Sequence, residues 1–382
     1  MRAQGFDCTV LVMSGSFTER GDVAILGKYD RAAAALAVGA DLVLELPYPY
    51  SAGSAEYFAR AGVRILESLS VDRLCFGSET GDAAFLSRAA EVAASDRFRA
   101  AYAAEGESGT GSAAAYFSLL AAEMGVSSFG SNDVLGVEYV KAIRAENARI
   151  TPLVIRREGA AYHADAVEAG QHPSATALRR AVLGAPDAET AADAYARLSG
   201  LPEEAVTPFR EAILSGSAPA RLGNGLDAVL GYYRLHAPAE LSGIAEMHGG
   251  LAERICRAAA DAATEEEFLS LAATKKYTDS RVRRAILYGM TGVTEDDLRT
   301  FPAYVNLLGA SERGRAFLAA YRKKKDKRVE IVTRPAAILD EEVSPAFLRQ
   351  AELQRRAEAL YTLFLPKKAP AGLYLRSRAV MV

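Results

Sequence analysis

"VLVMSGSFTERGD", residues 10–22, decides the fold. A short apolar run, CTVLVM at 8–13, breaks into a Ser-Gly-Ser turn and then into charge. A continuous apolar run of this length, bounded by turn residues, reads as a buried strand. The next stretch, ILGKYDRAAAALAVGA at 25–40, has helical spacing, and the pattern repeats. DLVLELP (41–47) is a strand followed by the helical GSAEYFARAGVRILESL (53–69), and VDRLCFGSE (71–79) a strand followed by DAAFLSRAAEVAAS (82–95). Strand alternating with helix predicts an α/β fold with a doubly wound parallel sheet. EGESGTGS (105–112) reads as a flexible linker or lid. Beyond it come a helix through NDVLGVEYVKAIRAEN (132–147), a strand in ITPLVIRR (150–157) and a helix through SATALRRAV (174–182).

From about residue 185 the strand signals fade, and segments such as AVLGYYRL (228–235), GLAERICRAAADAA (250–263) and TDSRVRRAILYGM (278–290) carry helical spacing. Two domains are expected: 1–184, α/β, and 185–382, mainly helical, with one small strand in KRVEIVTRP and a helix through FLRQAELQRRAEALYTLF near the end. The halves differ in charge. Residues 1–200 hold 18 basic against 25 acidic side chains, and residues 301–382 hold 16 against 8. The basic end can steer a polyanion, or it is a solvated helix face.

Composition narrows the class. No apolar run approaches the roughly 20 residues that span a bilayer, and the amino end lacks the pattern of a secretory signal. Three widely spaced cysteines, Cys8, Cys75 and Cys256, form neither a disulfide framework nor a zinc site. The four histidines, His163, His172, His236 and His248, never show metal-ligand spacing. A cytoplasmic protein without a protein-bound metal is expected.

In an open parallel sheet, ligands sit outside the carboxyl ends of the strands. Four segments fall there: MSGSFTERGD, ELPYPYSAGS, FGSETGD and IRREGAAYH. Gly15 and Gly77 would let backbone approach a ligand, and Arg20, Lys28, Arg156 and Arg157 would neutralise phosphates.

The motifs MSGSFTERGDVAILGKYDRAAAALAVGADLVLELP, FGSETGD, SNDVLGVEYVKAI, IRREGAAYH, SATALRRA, TKKYTDSRVRRAILYGMTGV and YVNLLGASERGRAFL, in this order along nearly the whole chain, resemble those of the bacterial tRNA(Met) cytidine acetate ligases. The resemblance implies a nucleotidyltransferase-like amino-terminal domain and a two-step reaction. Acetate and ATP give acetyl-adenylate and pyrophosphate, and the acetyl group passes to N4 of the wobble cytidine, C34, of elongator tRNA(Met). It also implies ATP contacts at Gly77, Asn132, Arg156 and Arg157, and Mg²⁺ held mainly by the nucleotide. Catalytic residues and acetate contacts are not assigned. Taken without the resemblance, Gly77 ends a strand, Asn132 caps a helix and Arg157 pairs with a surface acid.

One departure stands out. The family's opening strand and HxGH-type motif would precede Met1, which falls inside the helix that follows them. We expect the upstream reading frame to encode both, and residues 1–382 alone to be inactive in acetate activation. The alternatives are an inactive RNA-binding remnant and a small-molecule nucleotidyltransferase of the same superfamily. For tRNA, the basic runs supply candidates: Lys275 and Lys276, with Arg281, Arg283 and Arg284 in the same stretch, and Arg322, Lys323, Lys324, Lys325, Lys327 and Arg328.

Overall fold

The computed structural model describes residues 5–107, 113–157, 174–325, 327–336 and 343–382. The chain forms two compact units, one of residues 1–53 with 160–382 and one of residues 54–159. From the amino end run β1 (Val10–Ser14), α1 (Lys28–Ala37) and β2 (Leu42–Leu46). The smaller unit follows with α2 (Ala55–Ser68), β3 (Arg73–Ser78), α3 (Ala83–Ala94), α4 (Asp96–Glu107), α5 (Ala113–Met124), α6 (Ser131–Ala145) and β4 (Thr151–Arg156). The chain re-enters the larger unit with α7 (Ala175–Leu183), α8 (Ala188–Ser199), α9 (Glu203–Leu214), α10 (Leu226–Leu235), α11 (Leu251–Asp261), α12 (Glu265–Ala272), α13 (Asp279–Thr291) and α14 (Glu295–Arg299). It ends with β5 (Tyr304–Ala310), α15 (Glu312–Arg322), β6 (Glu330–Val332), α16 (Pro345–Phe364), α17 (Leu373–Arg376) and β7 (Val380–Met381).

In the larger unit the sheet runs β1-β2-β5-β6, with β7 also on β5. β1 and β2 are parallel, with Val10 opposite Leu42 and Ser14 opposite Leu46. β5 runs antiparallel to β2, with a bulge at Val43/Leu44, and parallel to β6 and β7. The α/β class holds, but this sheet is mixed, and the mainly helical carboxyl half supplies three of its strands. All five residues of β2 and all seven of β5 are buried. The alanine-rich α1 covers one face, with Ala32 and Leu36 packed on Val43 and Leu308. Small side chains there let the helix lie close to the sheet. Gly21 serves a similar close approach. It takes a positive φ of 68°, and a Cβ there would lie 2.5 Å from the Arg284 backbone nitrogen, so the turn after β1 rests directly on α13.

The smaller unit is a parallel pair, β3 with β4, in which Gly77 faces Ile155 and Ser78 faces Arg156. Phe76 and Val154 pack into a core of Leu86, Ala89, Ala90, Val137 and Val140 from α3 and α6. Phe98, Tyr102, Tyr116 and Phe117 of α4 and α5 extend that core edge to face. Of the stretch 105–112 expected as a linker, 105–107 close α4 and 108–112 lie outside the described residues.

Candidate functional site

The carboxyl ends of β3 and β4 bring three of the four expected nucleotide residues together. Arg157 follows β4 and donates from Nη1 to Asn132 Oδ1 at 3.1 Å. Its stem crosses Gly77, where a Cβ would lie 3.1 Å from Arg157 Cγ. Arg156, the fourth, packs its stem against Gly81, whose φ is +64° and where a Cβ would lie 2.6 Å from Arg156 Cβ. Both arginines are exposed. The guanidinium of Arg157 therefore meets a neutral partner and makes no direct ion pair among the described residues, which leaves it N–H donors for a phosphate.

Two carboxylates that the sequence reading did not single out hold this arrangement. Asn132 is not the N-cap of α6; Gly130 is. The cap is supplied by Glu79, after β3. Its Oε1 accepts from the Asn132 backbone N–H at 3.1 Å and from Nδ2 at 2.6 Å, and its Oε2 accepts from the Asp133 N–H at 2.8 Å. Burial alone would raise the Glu79 pKa, but these hydrogen bonds outweigh it and hold the carboxyl below its ordinary range. The helix dipole works in the same sense. In return Asp133, buried at the start of α6, accepts from the Ser78 hydroxyl and from Thr80 N–H and Oγ1 at 3.3 and 3.2 Å. FGSETGD and SNDVLG thus lock each other, and Asn132 is fixed with its amide nitrogen on Glu79 and its oxygen on Arg157. The signal was two acids within three residues of the expected glycine and asparagine.

In the larger unit the expected phosphate residues behave differently. Lys28, buried, donates to Glu45 at 2.9 and 3.0 Å and to Glu358 at 2.9 Å. Burial would lower its pKa, yet Glu358 and Glu45 more than reverse this and keep the ammonium charged. Burial raises the Glu45 carboxyl above its usual range despite the pull of Lys28. Ser16, Gln354 and Asn306 complete the carboxylates' hydrogen bonds. Lys28 is thus neutralised and is no phosphate ligand. Nor does Gly15 open space for one, since a Cβ there would collide with Glu45 Oε1. His163 and His172 lie outside the described residues. Among the described residues no group of three His, Cys, Asp or Glu is placed to hold a metal ion.

The basic run after α15 is exposed at Arg322, Lys323, Lys324, Lys325, Lys327 and Arg328. Lys324 lies over the Tyr321 ring and Lys327 reaches Glu330 at 3.8 Å. Lys275 and Lys276 are exposed in the turn before α13, with Lys276 over Tyr277. The arginines beyond them are engaged internally. Arg281 and Arg284 hold Glu246, and Arg283 reaches Asp22 and Glu265, each at 3.5 Å.

The family model described as HIGH Nucleotidyl Transferase matches residues 1–373. The tRNA(Met) cytidine acetate ligase of Syntrophotalea carbinolica is 33% identical over 386 residues, spanning 95% of this chain and 88% of that one. That of Acetivibrio thermocellus is 32% identical, spanning 95% and 89%. The chain belongs to the tRNA(Met) cytidine acetate ligase family. Among solved structures, Thermotoga maritima TmcAL without ligand matches with a TM-score of 0.87 at 28% identity, covering 98% of this chain and 92% of that one. The same protein bound with alpha-thio ATP matches at 0.85 with the same identity and coverage. Family membership accords with the expected fold class, nucleotidyltransferase-like α/β.

Proposed function

We propose that the protein activates acetate with ATP and acetylates N4 of the wobble cytidine, C34, of elongator tRNA(Met). An acetate oxygen attacks the α-phosphorus, the bond to the β-phosphate breaks and pyrophosphate leaves. The N4 amine then attacks the acetyl carbon, AMP leaves and the amine gives up a proton. The observation that carries this reading is the convergence of Gly77, Asn132 and Arg157 at the ends of two parallel strands, where anions bind in such sheets. Arg157, with Arg156 beside it, holds phosphate oxygens. Asn132 orients the Arg157 fork, Glu79 orients Asn132, and Gly77 leaves the wall beside them free of a side chain. Mg²⁺ held by the nucleotide would neutralise charge on its phosphates.

In this reading the boundary at 184–185 divides labour. Residues 1–184 handle ATP, and residues 185–382 bind tRNA through Lys275, Lys276, Arg322, Lys323, Lys324, Lys325, Lys327 and Arg328. The protein works in the cytoplasm; among the described residues no helix is long and apolar enough to cross a membrane. The test is to incubate protein expressed from its full native reading frame with labelled acetate, ATP and elongator tRNA(Met), digest the RNA and identify nucleosides by mass. Labelled N4-acetylcytidine that requires ATP and forms without acetyl-CoA is expected. Unlabelled RNA would contradict the proposal.

A further inference from the structure

Arg156 and Arg157 are neighbours in sequence, but their side chains part company at the end of β4. Successive side chains of a strand point to opposite faces, and the ladder runs on past β4, since the Arg157 N–H donates to the Ser78 carbonyl at 2.9 Å. Each stem then lies on a glycine. Arg157 crosses Gly77 in β3, and Arg156 rests on Gly81 in the turn that follows. The second contact is the tighter. A Cβ at Gly81 would lie 2.6 Å from Arg156 Cβ, 3.0 Å from its Cγ and 3.1 Å from its Cα. These atoms are the root of the side chain, fixed by the backbone of β4, so no change of rotamer clears the space.

The turn itself is pinned. Gly81 has a φ of +64°, in the left-handed region, and its N–H donates to Ser78 Oγ at 3.0 Å. The Ser78 hydroxyl in turn donates to Asp133 and lies 3.0 Å from Thr80 Oγ1. One residue after Gly81, Asp82 caps α3 by accepting from the Ala84 and Phe85 N–H groups at 2.8 and 3.0 Å. The segment from Ser78 to Asp82 is thus tied to α6 on one side and to α3 on the other. Arg156 has no comparable tie at its far end. It is exposed and makes no hydrogen bond or ion pair among the described residues. Asn132 aims Arg157, whereas the direction of Arg156 is set by the packing of its stem on Gly81.

We propose that Gly81 is a positioning residue for acetate activation: the seat left by its absent side chain sets the course of the Arg156 stem and brings that guanidinium to the nucleotide phosphates beside Arg157. A guanidinium with no protein partner can give its N–H donors to phosphate oxygens, so direction is what the fold has to supply. The proposal rests on the reading of the Arg157 site as an ATP site and adds to it the residue that aims the second arginine.

The experiment is a double-mutant cycle on ATP binding, by calorimetry, with protein from the full native reading frame. Gly81→Asn suits it, because asparagine tolerates the left-handed backbone and still carries the Cβ that meets Arg156. Alone, it should weaken ATP by about tenfold, the scale of losing one charge-assisted contact to phosphate. Arg156→Gly removes both the guanidinium and the Cβ in the way. It should weaken ATP to a similar extent, and adding Gly81→Asn to it should change the affinity by less than about twofold. A glycine that only shaped the turn would impose the same loss in both backgrounds. Equal losses, or no loss in either, would overturn the proposal and leave the ATP site standing. If Gly81→Asn alone does not fold, the return of cooperative melting in the double variant supports the seat, and its failure to return overturns it. Wild-type protein that does not bind ATP would overturn the reading of the site as well.

Discussion

Lys28, at the start of α1, and Arg157, directly after β4, are both cations that the sequence offers to phosphates, and they have opposite fates. Lys28 is sealed between Glu45 and Glu358, with side-chain exposures of 4%, 0% and 7%. Arg157 lies exposed against the amide oxygen of Asn132. A cation already balanced by two buried carboxylates has nothing left for a phosphate. Its energetic role is structural, because removing one member of a buried charged group strands the others. A cation held by a neutral amide is positioned without being neutralised, which suits a ligand site. The partner's charge separates the two roles better than proximity to a strand end does.

The largest expected effect lies on the buried side. Lys28→Met should destabilise the larger unit by about 3–5 kcal/mol by leaving Glu45 and Glu358 buried without their ion-pair partner. Urea unfolding measures this, and combining the change with Glu358→Gln should recover part of the loss. A Lys28→Met protein as stable as wild type would mean that the cluster is not a closed charge set, and the contrast with Arg157 would lose its basis.

Next comes the cap. Glu79→Gln should cost about 1 kcal/mol, typical of removing an N-terminal cap, and should loosen Asn132 and therefore Arg157. The Glu79 pKa is lower in the folded state than in the unfolded chain. Its stabilisation is therefore fully present above the ordinary glutamate pKa and disappears as pH falls through the lowered folded value. The difference in stability between wild type and Glu79→Gln should accordingly shrink towards the acid end of a pH series. A constant difference would assign the cost to packing instead.

The smallest effect on stability is expected in the basic run. Lys323, Lys324 and Lys325 are exposed, and reversing all three to glutamate should change the melting temperature little, because surface charges contribute about 0–1 kcal/mol. Acetyl transfer to tRNA should nevertheless fall sharply at low salt, and the deficit relative to wild type should narrow as salt rises, because fewer phosphates are neutralised. Unimpaired transfer would make the run a solvated surface.

Much of the fold was legible in the sequence. The strands at Val10–Ser14, Leu42–Leu46, Arg73–Ser78 and Thr151–Arg156 and the helices α1, α2, α3 and α6 follow directly from apolar periodicity and turn residues, whereas α4 and α5 were not read from the sequence. β5 was not legible. YVNLLGA is buried at every position, and a strand covered on both faces has no alternation to separate it from a buried helical turn. The Arg157 site was half legible. Its glycine, asparagine and arginine could be named from motifs, whereas Glu79 and Asp133 reveal their roles only once the loops they bridge lie side by side. The fate of Lys28 was hidden for the same reason at longer range, since Glu358 lies 330 residues away in sequence. Arg281, Arg283 and Arg284 read as part of a basic surface along the chain, but in the fold Glu246, Asp22 and Glu265 lie opposite them.

The most direct test of the contrast is ATP binding to protein from the full native reading frame, by calorimetry, for wild type and Arg157→Ala. Removing a charge-assisted hydrogen bond to phosphate, worth about 1.5–3 kcal/mol, should weaken ATP by about one to two decades. The melting temperature should stay unchanged, and Arg157→Lys should restore only part of the affinity. Unaltered ATP affinity in Arg157→Ala would contradict the account and make Arg157 an ordinary surface residue.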